Sequence, residues 1–454
     1  MQKYQIVSKF YARVFIFSLI VSVVIALIYH KLLLPNHKES FFAHFFGELH
    51  LISLMLLAIM IIFPLLYYAV KHKLNHGFRY ALLHYITLKG IKRALLESGF
   101  YIAEDFAKYE VVILPKIKLR FDKDLRKGTM EIENHPKFNK SYESLNLSSA
   151  LGSFIVEQHY LSDSENEYIY EISDSRIDRQ EVFNSYEQFI EYCKLADVYE
   201  LLIDRNSKIT LHHILLVAST GSGKSYLIYS WILQILQKLK SVRYYLYFND
   251  PKTSGLYIIG NIISPKTTAT EMTDIIENLK KFNDKMQQRK IELLDRLAEE
   301  LDADYRTFGL EPHIFIIEEF SVFQSYVTTL PKSERDMVNN LIANCVRIGR
   351  QLGFFLWVIM QKSDASTIST EVRDNLICKI VLGMAEATTY QTTFGANANI
   401  PRKKYKPGCG VYTYSGITRQ PKRCFVPTMN FDILEAFKSG ERLNSLKITS
   451  KNKQ

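Results

Sequence analysis

The chain has 454 residues, 47% of them hydrophobic, and a formal net charge of +10 with a pI near 9.0. This length predicts two or three domains, and the positive charge favours a polyanionic partner or an anionic membrane surface. The five cysteines are scattered without a Cys-x-x-Cys pair, which argues against a disulfide framework and a zinc site. There is no His-Glu-x-x-His, so a membrane-anchored metalloprotease is not expected.

Two uncharged apolar segments predict a two-helix transmembrane anchor over residues 1–75. They cover 14–29 and 51–70, and the first reaches a bilayer-spanning length with its flanks. A signal peptide is the alternative for the first segment, but no small-x-small cleavage site follows it. Lysine and arginine flank the pair on its outer sides, whereas glutamates offset the lysines of the connecting loop. The positive-inside rule therefore predicts cytoplasmic termini and a short loop outside.

Residues 76–200 are predicted to form a small mixed α/β linker module. An amphipathic helix is expected over 80–98. Strands are expected at 111–115, 117–121, 128–132 and 167–172. No residue pattern in this region carries chemistry, so we interpret it as a spacer or oligomerisation module.

Residues 201–430 alternate strands with helices, which predicts an α/β fold with a doubly wound, mostly parallel sheet. The predicted strands are 214–217, 244–248, 314–317, 354–359 and 379–382. The predicted helices are 226–240, 270–301, 332–352 and 369–375. Ligands bind such sheets at the carboxyl ends of the strands. The remaining tail, 431–454, is basic and polar, and we expect it to be loose.

The stretch 216–228, LVASTGSGKSYLI, predicts a strand, a phosphate-binding loop and the start of a helix. Lys224 can reach the β- and γ-phosphates of ATP, and the Ser225 hydroxyl can bind Mg²⁺. Ala218 stands where the usual pattern has glycine, a mild departure because alanine fits wherever φ is negative. A glycine-rich turn without a ligand is disfavoured by the apolar strand before it. The expected ATP-binding residues are Ser219, Thr220, Gly221, Ser222, Gly223, Lys224, Ser225 and Tyr226.

Two acidic residues follow the apolar run 314–317. We expect Glu318 to hold the Mg²⁺ shell and Glu319 to polarise the attacking water. Aspartate is commoner at the first position, so the metal role is the weaker assignment. The alternative is a buried strand that ends in a solvated acidic turn.

Several spaced motifs resemble the FtsK/SpoIIIE family of ring-forming DNA translocases over about 195–427. The matching segments are HILLVASTGSGKS at 213–225, NDPK at 249–252, MQQR at 286–289, RIGRQLG at 347–353, MQK at 360–362 and GCGVY at 408–412. The resemblance implies a RecA-like motor. The chain has two spans, a linker of about 125 residues and too few residues after 427 for a winged helix. This layout resembles that of the coupling proteins of conjugative elements.

The resemblance implies a homohexamer in the membrane of a bacterium that feeds relaxase-bound DNA, without sequence specificity, into a type IV secretion channel. The motor would lie in the cytoplasm and use ATP and Mg²⁺. A membrane-anchored ATPase that drives protein secretion is the main alternative. A chromosome-segregation pump and a non-hydrolysing scaffold are the others.

The same resemblance suggests roles outside the phosphate loop. Gln361 would sense the γ-phosphate, or be a solvated strand end. Arg350 is the candidate arginine finger that acts on a neighbouring subunit, with Arg347 and Arg373 as competitors.

Two further segments have open interpretations. Asp250 and Lys252 match a family motif, or form an ordinary strand-to-loop turn. The basic loop 401–407, with an interleaved tyrosine, would contact DNA phosphates or be a solvated charge run.

Overall fold

The computed structural model describes residues 3–33, 35, 40–106, 109–137, 142, 145, 147, 150–239, 241–300, 302–364, 367–396, 398, 400, 405–418 and 420–440. The chain divides into two compact units, Met1–Ile177 and Asp178–Gln454. The sequence placed the start of the motor at 201, whereas the second unit begins earlier. The reason is that Phe183, Phe189 and Leu201 are buried in the core of that unit.

The first unit begins with two long apolar helices. They are α1, Lys3–Leu27, and α2, Phe41–Lys71. The hydroxyls of Ser22 and Ser53 are 3.0 Å apart where these helices meet. The stretches Tyr11–Lys31 and Phe41–Lys71 have mean hydropathies of 2.5 and 2.6, and both are long enough to cross a bilayer.

The rest of the first unit is an antiparallel sheet covered by a helix. Its elements are α3, Phe78–Glu97; β1, Ile102–Phe106; β2, Tyr109–Ile113; β3, Ile117–Phe121; β4, Lys127–Glu133; β5, Phe154–Leu161; and β6, Glu167–Asp174. The order β3-β4-β6-β5 forms one sheet, and β1 pairs with β2. Apolar residues of α3 pack on the sheet, where Tyr80 Oη accepts a hydrogen bond from Phe121 N at 3.2 Å. Strands β1 and β5 were not predicted from the sequence.

The strands of the second unit coincide with the predicted ones to within a residue or two where a prediction was made. They are β7, Val182–Phe183; β8, Glu200–Asp204; β9, Ser207–Thr210; β10, Ile214–Ala218; β11, Tyr245–Asn249; β12, Thr268–Ala269; β13, His313–Ile317; β14, Phe354–Met360; β15, Cys378–Leu382; β16, Cys409–Tyr414; β17, Lys422–Phe425; and β18, Thr428–Met429.

The helices of this unit connect the strands. They are α4, Tyr186–Cys193; α5, Lys224–Lys238; α6, Gly255–Ile263; α7, Met272–Glu299; α8, Phe320–Thr329; α9, Lys332–Leu352; α10, Thr370–Asn375; and α11, Ala387–Phe394. Helix α9 has the predicted bounds. Helices α4, α6, α8 and α11 were not predicted.

Within the described residues, one large sheet has the order β12-β11-β13-β14-β10-β15-β16-β17. Pairing is parallel from β12 to β15 and antiparallel for β16 and β17. Successive residues of β10 enter different cores: Leu216 lies in one and Leu215 in the other. Because helices cover both faces, the predicted doubly wound, mostly parallel fold of a P-loop ATPase is confirmed.

The early boundary of the second unit predicts a stability effect in helix α4. Phe189 is fully buried and its ring lies 5.5 Å from that of Phe183 and 6.0 Å from that of Phe431. Phe189→Ala in a 178–454 fragment should lower the free energy of unfolding by about 3–5 kcal/mol, because it leaves a cavity. Urea denaturation measures this. Glu187→Ala, at an exposed position of the same helix, should change it by less than about 1 kcal/mol. If Phe189→Ala and Glu187→Ala changed the free energy of unfolding equally, α4 would not be part of the core.

Candidate active site

The phosphate loop lies between β10 and α5, at the carboxyl edge of the sheet. Gly221 and Gly223 have φ values of 78° and 101°, a left-handed conformation that glycine adopts without strain. A Cβ on Gly223 would lie 2.7 Å from Gly408 N. Gly408 N also donates a hydrogen bond of 2.7 Å to Ser222 O. The loop therefore has the expected small residues and is supported from behind by the chain that enters β16.

Lys224 lies between the two glutamates that follow β13. Its Nζ is 2.8 Å from Glu318 Oε1 and 3.2 Å from Glu319 Oε1, and all three side chains are largely buried. Burial alone would lower the pKa of Lys224, but the two carboxylates outweigh it and raise the pKa above its ordinary value. The structure thus brings three of the predicted site residues into direct contact.

Glu319 is held by groups from several strands. Gln361 Nε2, just after β14, donates to Glu319 Oε1 at 2.8 Å, and Lys252 Nζ lies 3.1 Å from Oε2. Burial would raise the pKa of Glu319, but the Gln361 hydrogen bond and the two lysines hold it below its ordinary value. Its φ of 51° is unusual for a residue with a side chain and costs about 1–3 kcal/mol. Strain of this kind is typical of functional residues.

Ser254, which the sequence analysis missed, connects the second motif to the acids. Its Oγ lies 2.7 Å from Asp250 Oδ2 and 3.2 Å from Glu318 Oε2. Asp250 is fully buried and also accepts hydrogen bonds from Ser254 N at 2.6 Å and Tyr257 N at 3.2 Å. Asp250 thus organises the turn between β11 and α6, whereas Lys252 from the same motif contacts Glu319. The contact of Lys252 with Glu319 depends on the order of the strands in the sheet, which the sequence does not give.

The predicted magnesium ligands are compatible with that ion. Ser225 is the second residue of α5, directly after Lys224, and Glu318 Oε1 lies 2.8 Å from Lys224 Nζ. A hydroxyl and a carboxylate are oxygen donors, and Mg²⁺ takes its remaining ligands from phosphates and water. Among the described residues, no cluster of three or more His, Cys, Asp or Glu side chains forms a self-contained metal site. The Tyr226 side chain is exposed at the same helix end.

Arg350 does not lie near the phosphate loop of its own chain. Burial lowers the pKa of His212 and of His213, and the positive charge of Arg350 contributes to a smaller extent. Both histidines precede β10, whereas the phosphate loop follows that strand. The five residues of β10 separate the two ends by about 16 Å. Arg350 is exposed, and no described carboxylate pairs with it.

The two competing arginines are engaged locally. Arg347 forms an ion pair with Glu371. Arg373 is mostly buried, and its Nη2 lies 3.4 Å from Thr370 Oγ1. Arg350 is therefore the more available of the three.

The basic loop 401–407 is described only from Tyr405 onward. Tyr405 is partly buried against one of the cores, and burial raises its pKa to about 12. Lys406 is exposed, 3.8 Å from Asp178. Pro407 O accepts a hydrogen bond of 3.1 Å from Gln180 Nε2. The described end of this loop thus packs on the motor.

Comparison with known proteins gives partial matches. No family model matches the chain. It is similar to the FtsK domain-containing protein YdcQ of Bacillus subtilis (strain 168), with 27% identity over 185 residues, 41% of this chain and 37% of that protein. It is also similar to the DNA translocase FtsK of Borreliella burgdorferi, with 24% identity over 196 residues, 41% of this chain and 24% of that protein. These relatives confirm the predicted FtsK/SpoIIIE resemblance, although the chain spans well under half of their length.

Solved structures were compared as well. The pCW3 conjugation coupling protein TcpA, in a monomer form with ATPγS, gives a TM-score of 0.48 at 16% identity over 80% of this chain and 99% of that one. EssC (ATPases 2 and 3) from Geobacillus thermodenitrificans gives 0.38 at 16% identity over 53% of this chain and 46% of that one.

The contact between Lys252 and Glu319 predicts a role in turnover. We expect Lys252→Ala to lower kcat about 10- to 100-fold with little change in KM, because Glu319 loses a charged hydrogen-bond partner. Lys252→Arg should restore much of the rate. Lys266→Ala removes the same charge from an exposed position and should be neutral. Steady-state ATPase kinetics distinguish these results, and an unchanged kcat for Lys252→Ala would contradict the role.

Proposed function

We propose that the chain is a membrane-anchored ATPase that translocates DNA and acts as a coupling protein in conjugative transfer. The observation that carries the ATPase assignment is the contact of Lys224 with Glu318 and Glu319, with Gln361 beside them. The name of the Borreliella burgdorferi relative, DNA translocase FtsK, supports DNA as the substrate. The order of an apolar helix pair, a small module and one motor supports the coupling role over a segregation pump.

Each site residue has a proposed part in ATP hydrolysis. The amides of residues 219–226 surround the phosphates, and Lys224 neutralises the β- and γ-phosphate oxygens. Ser225 and Glu318 would hold Mg²⁺, which neutralises charge on the phosphates. Glu319 orients the attacking water and accepts its proton, and its lowered pKa keeps the carboxylate ionised beforehand. Gln361, bonded to Glu319, detects whether a γ-phosphate is present.

The catalytic assembly is proposed to need a ring. Arg350 lies at the opposite sheet edge from Lys224, so it can act only on the phosphates of a neighbouring subunit. We therefore propose a homohexamer in which each site combines two chains. A relaxase and components of a type IV secretion channel are the proposed protein partners.

The two apolar helices are proposed to cross the cell membrane of a bacterium. The basic residues at the outer ends of the pair favour a cytoplasmic N-terminus, module and motor. The loop around Ser40 would then lie outside.

The ATPase rate with and without DNA tests the proposal. We expect full-length protein to hydrolyse ATP, DNA to stimulate it, and Lys224→Ala to abolish both turnover and DNA transfer while leaving membrane insertion intact. Stimulation by a secreted peptide rather than DNA would favour protein secretion. Normal transfer by Lys224→Ala would exclude a motor function.

A mixing experiment tests the shared site. Arg350→Ala should lower turnover on the order of a thousandfold without weakening ATP binding, since an arginine finger acts in the transition state. Mixing it with Lys224→Ala subunits should partly restore ATPase activity, because some interfaces then pair an intact Arg350 with an intact Lys224. Arg347→Ala is the matched control and should stay within a few-fold of wild type. No recovery in rings shown to be mixed would contradict the assignment of Arg350.

A further inference from the structure

Helix α3 has a buried face and an exposed stripe. The buried face packs on the module's sheet. The exposed stripe, which we call the α3 stripe, recurs every three or four residues. It consists of Phe78, Leu82, Tyr85, Ile86, Lys89 and Arg93. This spacing puts all six side chains on one side of the helix.

The two halves of the α3 stripe differ in chemistry. Its N-terminal half is apolar, with Phe78 74% and Ile86 56% exposed, and its C-terminal half is basic. A helix whose exposed side carries large apolar groups next to lysine and arginine is typical of segments that lie in a membrane interface.

Contacts place the α3 stripe beside the end of α2. The Tyr85 ring lies 5.6 Å from that of Tyr68 and 5.3 Å from that of His72, and His72 Nδ1 is 3.0 Å from His84 Nδ1. Burial, with a smaller effect of His72, lowers the pKa of His84 to about 4, so this ring is neutral at pH 7. Tyr85 therefore lies level with the last turn of the second apolar helix, where tyrosines meet lipid headgroups.

We propose that the α3 stripe lies on the headgroup region of an anionic lipid leaflet and holds the linker module against the membrane. The inference rests on the proposed membrane anchor. The stripe continues the apolar surface of α2, where Val70 is 80% exposed, and Leu74 lies between them. Anionic headgroups suit the nearby cations. These are Lys71, Lys73, Arg79, Lys89, Lys92 and Arg93.

Lipid explains the surface better than two other occupants. Nucleic acid would use the basic half but leave Phe78, Leu82 and Ile86 in water. A second copy of the same surface would bring the basic residues of both copies together, and in each copy Glu97 pairs with Arg93 and leaves Lys89 unbalanced. A lipid leaflet accommodates the apolar and the basic halves at the same time.

Fluorescence quenching in the full-length chain tests the proposal. The background is Cys409→Ser, since the other four cysteines are buried. An environment-sensitive fluorophore is attached to Leu82→Cys or Ile86→Cys in vesicles of phosphatidylethanolamine and phosphatidylglycerol. Ser164→Cys, in the exposed turn between β5 and β6, is the polar control. Ile62→Cys, in α2, reports the anchor itself.

We expect doxyl-labelled lipid to quench positions 82 and 86 several-fold more than 164, and aqueous iodide to quench them less. Replacing phosphatidylglycerol with phosphatidylcholine should reduce lipid quenching at 86 and leave 62 unchanged. Lipid quenching at 62 with 82 and 86 equal to 164 overturns the inference and leaves the anchor intact. If positions 82 and 86 are shielded from both quenchers, protein covers the stripe. If they are shielded only when DNA is added, nucleic acid covers it. Either result overturns the lipid proposal. If labelled lipid does not quench position 62, the proposed membrane anchor itself is wrong.

Discussion

The contact of one buried lysine with two buried glutamates organises the whole motor. Two carboxylates at adjacent positions cannot both stay ionised out of water without a cation, and Lys224 supplies it. Breaking a buried pair of this kind costs about 3–5 kcal/mol. In the proposed mechanism Lys224 also neutralises the β- and γ-phosphate oxygens. Under that proposal ATP binding would change the partners of Lys224, and the neighbours of Glu318 and Glu319 would then have to stabilise the two acids.

Those neighbours are arranged for the exchange. Glu319 also contacts Lys252 and Gln361, so it would retain a cation and a hydrogen-bond donor if Lys224 bound the phosphates as proposed. Glu318 keeps the Ser254 hydroxyl and can turn to Mg²⁺. The two acids therefore have different partners, which fits the different tasks proposed for them. The left-handed backbone at Glu319 has a conformational cost that the packed sheet sustains.

Local patterns made much of this arrangement predictable, and non-local pairing made the rest unpredictable. The phosphate loop, the strand before Glu318 and helix α9 follow from short-range periodicity. Ser254 and the contact of Lys252 with Glu319 depend on β11 lying beside β13, which no local pattern specifies. Strand β5 escaped prediction because a register shift between Val156 and Gln158 interrupts its alternation.

The boundary at 178 has a similar non-local origin. Gln180 donates to Pro407 O and Val426 O, each at 3.1 Å, and the adjacent Gly408 N donates to Ser222 O. The phosphate loop is therefore supported by segments from both ends of the motor unit. More than two hundred residues separate Gln180 from Pro407 and Val426. A contact on the loop before Gly408 would act on the backbone of the phosphate loop through a single hydrogen bond. These hydrogen bonds also make residues 178–200 part of the motor, because the Pro407 and Val426 carbonyls would lose a hydrogen-bond donor without Gln180.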